Sequence, residues 1–262
     1  MSTEFPRGRF IWHELLTTDP EAAQAFYSGI IGWGTTVWEG EKGPYPMFTR
    51  GETPYAGIME KPDGAEAAGA PPCWLPYVAS PDVDATTARA RELGADVWVE
   101  PMTIPTVGRF AVLADPQGAT FAVYTPEGEP GGHDGPPEIG EHSWHELATT
   151  DPEAAFAFYQ DLFGWQNATA MDMGPAGIYQ MYGRVPDVPL GGIFSKPAEM
   201  PGPPAWLCYV RVDDVNRKIE AIKAAGGQVI NGPMEVPGGD WIAQCLDPQG
   251  GMFAIHHKTS AG

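Results

Sequence analysis

Basic residues are scarce. The chain sets 15 lysines and arginines against 34 aspartates and glutamates, a formal net charge of −19. Such a surface repels phosphate backbones and anionic lipid, so neither nucleic acid nor a membrane is an expected partner, and solubility is the plain reading of the charge. Cysteine is scarcer still: Cys73, Cys208 and Cys245 are the only three. No pair has CxxC spacing, and the odd count fits reduced thiols in a cytoplasm, where each reads as a packing residue. Long apolar runs are missing as well. No stretch is long enough to span a bilayer, and the first ten residues, MSTEFPRGRF, lack the apolar core of a signal peptide.

What the chain does have, it has twice. Residues 12–33 read WHELLTTDPEAAQAFYSGIIGW and residues 144–165 read WHELATTDPEAAFAFYQDLFGW, with 16 of 22 positions identical at an offset of 144 − 12 = 132. The offset holds further on. Trp74-Leu75 recurs as Trp206-Leu207, Pro101-Met102 as Pro233-Met234, and Asp115-Pro116-Gln117-Gly118 as Asp247-Pro248-Gln249-Gly250. A period this long, seen twice, indicates two domains rather than a solenoid. With 43% hydrophobic residues, each copy can bury a core. None of the cysteines occupies the same slot in both copies, which argues against a catalytic thiol. Residues 126–137, PEGEPGGHDGPP, cannot pack a core. The expected division is a first domain over 1–126, a linker over 127–137 carrying a solvated His133, and a second domain over 138–262.

Each copy reads as two βαβββ units. Asp19-Pro20-Glu21 is a helix start, with Asp as N-cap and Pro in the first turn, and Gly32 suits the C-terminal end. Residues 10–16 precede it as a strand, and short strands follow near 35–38, 45–50 and 55–60. The pattern recurs with a strand at 74–79, a helix over 82–93, and strands near 96–99, 110–114 and 120–125. The Asp-Pro-Gln-Gly turn joins the last two. The second copy has the same order, with its second helix near 214–225. The expected fold class is α+β: tandem duplicated domains whose βαβββ units form cup-shaped mixed sheets, the cup being a natural place for a ligand.

At these motifs the chain resembles the vicinal oxygen chelate superfamily, which includes glyoxalase I, extradiol dioxygenases and bleomycin-resistance proteins. It is most similar to two-domain glyoxalase-like proteins of the kind labelled hydroxylases. The resemblance implies metal ligands seven residues before the Asp of the helix start, seven residues after the Asp of the turn, and on the first strand of the second unit. Here those slots hold Trp12 and Trp144, Ala122 and Ala254, and Leu75 and Leu207. None of these side chains coordinates a divalent ion. The usual metal site is therefore expected to be absent, and no cofactor is expected.

Alternation along a strand puts residues two apart on one face, about 6.6 Å apart. Two residues from each lost slot stand polar or aromatic side chains. These are Glu14, Tyr77 and Tyr124 in the first copy, and Glu146, Tyr209 and His256 in the second, with His142 beyond Trp144. We expect Glu14, Glu146 and His256 as catalytic candidates, Glu acting as acid or base when shielded by aromatic walls and His titrating near neutrality. Trp12, Tyr77, Tyr124, Trp144 and Tyr209 are the candidate ligand-binding residues, together with Phe48, since aromatic walls suit a flat ligand. Each has a bland alternative: the Glu pairs could bond a neighbouring Arg or backbone amide, and tyrosine is ordinary strand composition. His13, His145 and His257 alternate away from the cup. Trp33 and Trp165 read as core, and Trp74 and Trp206 as facing the helices. Arg109 aligns with Trp241 and reads as a surface residue.

Three functions follow. The first is a small-molecule-binding protein, or a metal-independent enzyme, acting on a small aromatic or carbonyl-bearing compound. The second is a metal-dependent lyase, isomerase or oxygenase with shifted ligands from Glu14, Glu146 and His256. The third is a structural domain with filled cups. A monomer or homodimer fits the fused duplication.

Overall fold

The computed structural model describes residues 5–40, 43–62 and 70–259. Four βαβββ units follow one another. The first is β1 (Phe10–Thr17), α1 (Pro20–Ile31), β2 (Gly34–Gly40), β3 (Gly43–Arg50) and β4 (Thr53–Glu60). The second is β5 (Cys73–Ala79), α2 (Val83–Glu92), β6 (Asp96–Ile104), β7 (Gly108–Ala114) and β8 (Thr120–Pro126). The third is β9 (His142–Thr149), α3 (Pro152–Phe163), β10 (Gln166–Asp172), β11 (Ile178–Gly183) and β12 (Gly191–Ser195), with one 3-10 turn at Gly174–Ala176. The fourth is β13 (Ala205–Val212), α4 (Val215–Ala224), β14 (Gln228–Glu235), β15 (Trp241–Leu246) and β16 (Met252–His257). The strands make two eight-stranded curled, mixed sheets, ordered β2-β3-β4-β1-β5-β8-β7-β6 and β10-β11-β12-β9-β13-β16-β15-β14. This is the α+β tandem architecture expected from the repeat.

The helices start where the sequence says they should. Asp19 and Asp151 each accept a hydrogen bond from the amide three residues on, Ala22 and Ala154, at 3.0 Å. Asp82 and Asp214 cap α2 and α4 in the same way. Each such cap stabilises its helix by about 1 kcal/mol. Gly32 and Gly164 close α1 and α3 with φ of 91° and 72°, a left-handed conformation that favours glycine.

The packing does not follow the copies. The chain divides into two compact units: unit 1 comprises Met1–Trp12, Leu75–Asp134 and Trp144–Trp206, and unit 2 comprises His13–Trp74, Gly135–Ser143 and Leu207–Gly262. Each unit thus joins the front half of one copy to the back half of the other. In unit 2, Phe26, Tyr27 and Ile30 of α1 share a buried core with Val210, Ile219, Phe253 and Ile255. In unit 1, Phe158, Tyr159 and Leu162 of α3 share one with Val78, Leu113, Phe121 and Val123.

The same polar pin fastens each core. Tyr27 Oη donates to Asp247 Oδ2 at 2.9 Å and accepts from Trp74 Nε1 at 3.0 Å. Tyr159 Oη donates to Asp115 Oδ2 at 2.9 Å and accepts from Trp206 Nε1 at 3.1 Å. The other oxygen of each aspartate takes turn amides, from Gln117 and Ala119 or from Gln249 and Gly251. The Asp-Pro-Gln-Gly segments are hairpin turns, as expected. They are also the acceptors for a tyrosine from the other copy. Burial raises the pKa of both aspartates above the ordinary carboxylate value, and the hydrogen bonds from tyrosine and the turn amides oppose that rise.

Several side chains lie elsewhere than the alternation rule puts them. His142 does not face the cup. Its ring stacks on His13 at 3.5 Å, and its Nδ1 meets Tyr55 Oη at 3.0 Å. Phe10, the equivalent residue of the first copy, likewise stacks on His145 at 3.6 Å in the core of unit 1. Trp12, two residues on, lies in a different cluster. Strict alternation therefore fails at the start of the first strand. Phe48 also turns inward, fully buried against Tyr27, Trp33 and Trp74. Cys208 and Cys245 are buried, but Cys73 is exposed at the first residue of β5 and packs no core. Trp33, Trp74, Trp165 and Trp206 are core residues as expected. No helix among the described residues is long and apolar enough to cross a membrane.

Tyr27→Phe removes a donor from a buried carboxylate and an acceptor from Trp74. The expected loss is about 1–3 kcal/mol in denaturant unfolding. It should be greater at pH 7 than near pH 4, because a carboxyl whose folded pKa is raised loses stability as pH rises through that value. A loss independent of pH would mean that Asp247 is not the group left unsatisfied.

Candidate functional site

The two expected glutamates share one environment. Glu14 on β1 accepts from Tyr45 Oη at 2.6 Å in unit 2. Glu146 on β9 accepts from Tyr179 Oη at 2.9 Å in unit 1, and Trp144 Nε1 donates to that same hydroxyl at 2.8 Å. Space for the tyrosine comes from a glycine directly across the parallel strand pair: Gly57 opposite Glu14, Gly192 opposite Glu146. A Cβ on Gly57 would sit 1.8 Å from Tyr45 Oη, and one on Gly192 would sit 2.1 Å from the Tyr179 ring. A phenol that donates to a carboxylate favours its ionised form and makes it a weaker base. Burial, reinforced by the Glu146 charge, pushes Tyr179 far above the ordinary phenol value, so the proton stays on the tyrosine.

Sequence reasoning missed Tyr45 and Tyr179. Both lie in a Tyr-x-Met motif, Tyr45-Pro46-Met47 and Tyr179-Gln180-Met181, but their offset is 179 − 45 = 134. Loop-length differences after the helix move the duplicated pair out of the 132 frame.

Trp12, Tyr77 and Tyr124 come together in unit 1. They form an apolar cluster with Leu75, Ala122, Phe110 and Val112. Tyr77 and Tyr124 meet edge to face at 6.1 Å, and the Tyr124 hydroxyl donates to the Val107 carbonyl at 2.9 Å. This cluster gathers the three slots that the family resemblance assigns to metal ligands in the first copy, now Trp12, Leu75 and Ala122. Their side chains offer no ligand atom suited to a divalent ion, so the residues there do not fit one.

The corresponding surface of the second copy, in unit 2, is polar. Tyr209 Oη accepts from Gln244 Nε2 at 2.9 Å, and Gln244 Oε1 accepts from Asn231 Nδ2 at 3.2 Å. His256 lies between Ser143, whose Oγ is 2.9 Å from Nδ1, and Asp240, whose Oδ2 is 3.0 Å from Nε2. Arg211 is the register partner of His256 on β13. At an offset of 132, the first copy has Ile11 for Ser143, Val99 for Asn231, Gly108 for Asp240, Val112 for Gln244 and Tyr124 for His256. Burial lowers the pKa of His256 below its usual value; Asp240 opposes this, while Arg211 and Lys258 add to it. The imidazole is neutral at pH 7.

His145 is buried, and burial takes its pKa down to about 3. His13 is buried beneath the His142 ring. Arg109 pairs with Asp84 at the surface. His133 is exposed. Its neighbour Asp134 holds Arg9 and Arg184, an exposed network that contributes little to stability.

With this geometry established, comparison with known proteins gives the family. The sequence profile described as Glyoxalase/Bleomycin resistance protein/Dioxygenase superfamily matches residues 9–123 and 142–255. The chain belongs to that superfamily. It is 34% identical over 97% of its length to "Putative glyoxylase CFP32" of Mycobacterium tuberculosis, covering 96% of that protein. It is 32% identical to the "Anthracycline biosynthesis protein DauV" of a Streptomyces species, covering 97% of this chain and 94% of that one. Among solved structures, a Mn(II)-bound glyoxalase from Novosphingobium aromaticivorans superposes with a TM-score of 0.64 at 17% identity, over 98% of this chain and 83% of that one. The 2,3-dioxygenase LapB from Pseudomonas sp. KL28 gives 0.66 at 13% identity, over 99% and 94%. At these identities the structures speak for the fold alone.

Gly57→Ala should break the Tyr45–Glu14 bond and destabilise the protein by about 1–3 kcal/mol. In a Tyr45→Ala background the same change should cost little, because no ring remains to displace. Equal costs in the two backgrounds would place the clash elsewhere. His145 sets an acid limit. Its folded pKa lies below the unfolded value of about 6.5, so stability is complete above pH 6.5 and falls as pH drops toward 3. His145→Leu should unfold less steeply with acid over that window, and an unchanged slope would show that other groups govern acid unfolding.

Proposed function

We propose that this protein is a glyoxalase-like binder of a small, flat aromatic or carbonyl-bearing compound, held on the polar face of β13, β15 and β16 in unit 2. His256 is its working base, without the usual metal. The observation that carries this reading is the asymmetry between the copies. Five apolar, glycine or tyrosine positions of the first copy become Ser143, Asn231, Asp240, Gln244 and His256 in the second. Hydrogen-bonding side chains gathered on one face, beside Tyr209, are what orients a flat ligand with carbonyl or hydroxyl groups. The relative named for anthracycline biosynthesis points to the same chemistry, since anthracyclines are fused-ring aromatic carbonyl compounds.

Trp144 with Glu146, and Trp12 with Tyr77 and Tyr124, are the further ligand-facing candidates, each within unit 1. Glu14 in unit 2 and Glu146 in unit 1 are the further acid–base candidates, each paired with a tyrosine hydroxyl. A metal held by shifted ligands is the less favoured reading. Both ring nitrogens of His256 are engaged, so coordination there would break one of its hydrogen bonds. Unpaired thiols at Cys73, Cys208 and Cys245 support a cytoplasmic setting.

The test is a titration with 1-hydroxyanthraquinone, followed by tryptophan quenching and checked by equilibrium dialysis. Binding near about 10 µM corresponds to roughly 7 kcal/mol. Gln244→Val and His256→Tyr, each installing the first-copy residue, should weaken it about tenfold or more. Val112→Gln in the first copy should leave it alone. Equal binding in all variants would remove the site from unit 2. Any turnover should be flat from pH 7 to 8 and decline only below pH 6.5, where His256 takes up its proton. Asp240→Asn should move that decline to lower pH, because the lost carboxylate had held the proton on.

A further inference from the structure

His256 has two ring nitrogens and a different partner on each. A carboxylate only accepts hydrogen bonds, so the Nε2 that faces Asp240 carries the proton. A neutral imidazole has one N–H, which leaves Nδ1 as an acceptor; of the two acceptors within reach of the Ser143 hydroxyl, His256 Nδ1 at 2.9 Å is closer than the Tyr209 carbonyl at 3.4 Å, so the hydroxyl donates to the ring. Hydroxyl to base, base to orienting carboxylate, is the polarity that activates a nucleophile. The ring nitrogens are exchanged relative to the familiar serine-hydrolase order, but the sequence of roles is the same.

Three separate segments make this arrangement. Ser143 is the second residue of β9, Asp240 directly precedes β15, and His256 is near the end of β16. The first copy has Ile11, Gly108 and Tyr124 at these places, so all three groups are particular to the second copy. The set is reachable: the side chains of His256 and Asp240 are 17% and 25% exposed, and Ser143 is half-buried.

We propose that Ser143 is a nucleophile and that unit 2 performs acyl transfer from small activated esters, aryl esters above all. Ser143 Oγ forms a bond to the acyl carbon while its proton passes to His256 Nδ1. The bond from that carbon to the leaving oxygen breaks, and the departing alcohol or phenol takes the proton. Water then adds to the acyl-serine with His256 again as base, releasing a carboxylic acid and restoring the hydroxyl. No oxidation state changes. Arg211, the register partner of His256 on β13 whose Nη1 donates to the Pro137 carbonyl, adds a positive charge close to the imidazole. Tyr209, two residues earlier on β13, is buried behind this set, its hydroxyl held by Gln244.

The inference rests on His256 as the working base, and its test is separable from ligand binding. The full-length protein is treated with a fluorophosphonate and, separately, with 4-nitrophenyl acetate, and the modified residue is mapped by peptide mass spectrometry. The expected result is one adduct, on Ser143. It should be lost in Ser143→Ala and form at least about tenfold more slowly in His256→Gln and Asp240→Asn. Mapping the wild-type adduct answers the question even if a variant fails to fold. No adduct on Ser143, or unchanged labelling in the His256 and Asp240 variants, overturns the inference. The quinone titration reads the other proposal independently. Binding without labelling leaves that reading standing and overturns this one. Labelling without binding supports this one and removes the aromatic ligand.

Discussion

A buried tyrosine on the first helix of each copy has to place its hydroxyl somewhere. Tyr27 and Tyr159 are 1% and 0% exposed, deep in aromatic cores, and a phenol left unpaired there would cost several times what the hydrogen bond itself contributes. The acceptor is the aspartate of the Asp-Pro-Gln-Gly turn, and it belongs to the other copy. Much follows from that one requirement. The helix must pack on the back half of its sister copy, so each core is composite, and neither copy closes a core by itself. The aspartate is fixed on both sides, its second oxygen held by its own turn, so the hairpin before the last strand is locked in position. That last strand carries Tyr124 in one case and His256 in the other.

Duplication supplies two scaffolds, and the copies have diverged. What both retain are the capping aspartates, the tyrosine–aspartate pins and the glutamate–tyrosine pairs seated on glycine. What differs is the inner face of the back half. In the first copy it is filled by its own aromatic and aliphatic side chains. In the second it carries two rows of hydrogen-bonding groups, Asn231–Gln244–Tyr209 and Ser143–His256–Asp240. A buried polar network carries a penalty unless its members are paired, and here they are paired with one another.

Much of the fold was legible because its signals are local and repeated. An Asp-Pro-Glu start, a Gly-Trp end and an Asp-Pro-Gln-Gly turn fix elements within a few residues of themselves, and repetition confirms them. Which half packs on which was not legible, since both pairings bury the same residues and nothing local separates them. The candidate site was half legible. Glu14, Glu146, Tyr209 and His256 stand out by alternation, but their partners Tyr45, Tyr179, Gln244 and Asp240 come from distant strands. Ser143 was hidden for another reason. Alternation breaks between positions 142 and 144, so the residue expected to face the cup, His142, points into the core, and Ser143 takes its place beside His256. The copy-to-copy differences at 11/143, 108/240 and 112/244 were visible throughout. Without the strand pairing, nothing gathered them into one place.

The division of the chain into units also orders events during synthesis. Unit 1 draws mainly on residues 75–206, and its pin joins residues 44 apart. Unit 2 draws on both flanks, and its pin joins residues 220 apart. One unit is therefore nested inside the sequence of the other. As the chain leaves the ribosome, α1 emerges early with its apolar face uncovered, and the strands that cover it come last. The inner unit can assemble in the meantime, while the outer one waits for Phe253 and Ile255. Slow, long-range closure of this kind exposes a half-built core to association with other chains. A net charge of −19 on every copy makes such half-built chains repel one another.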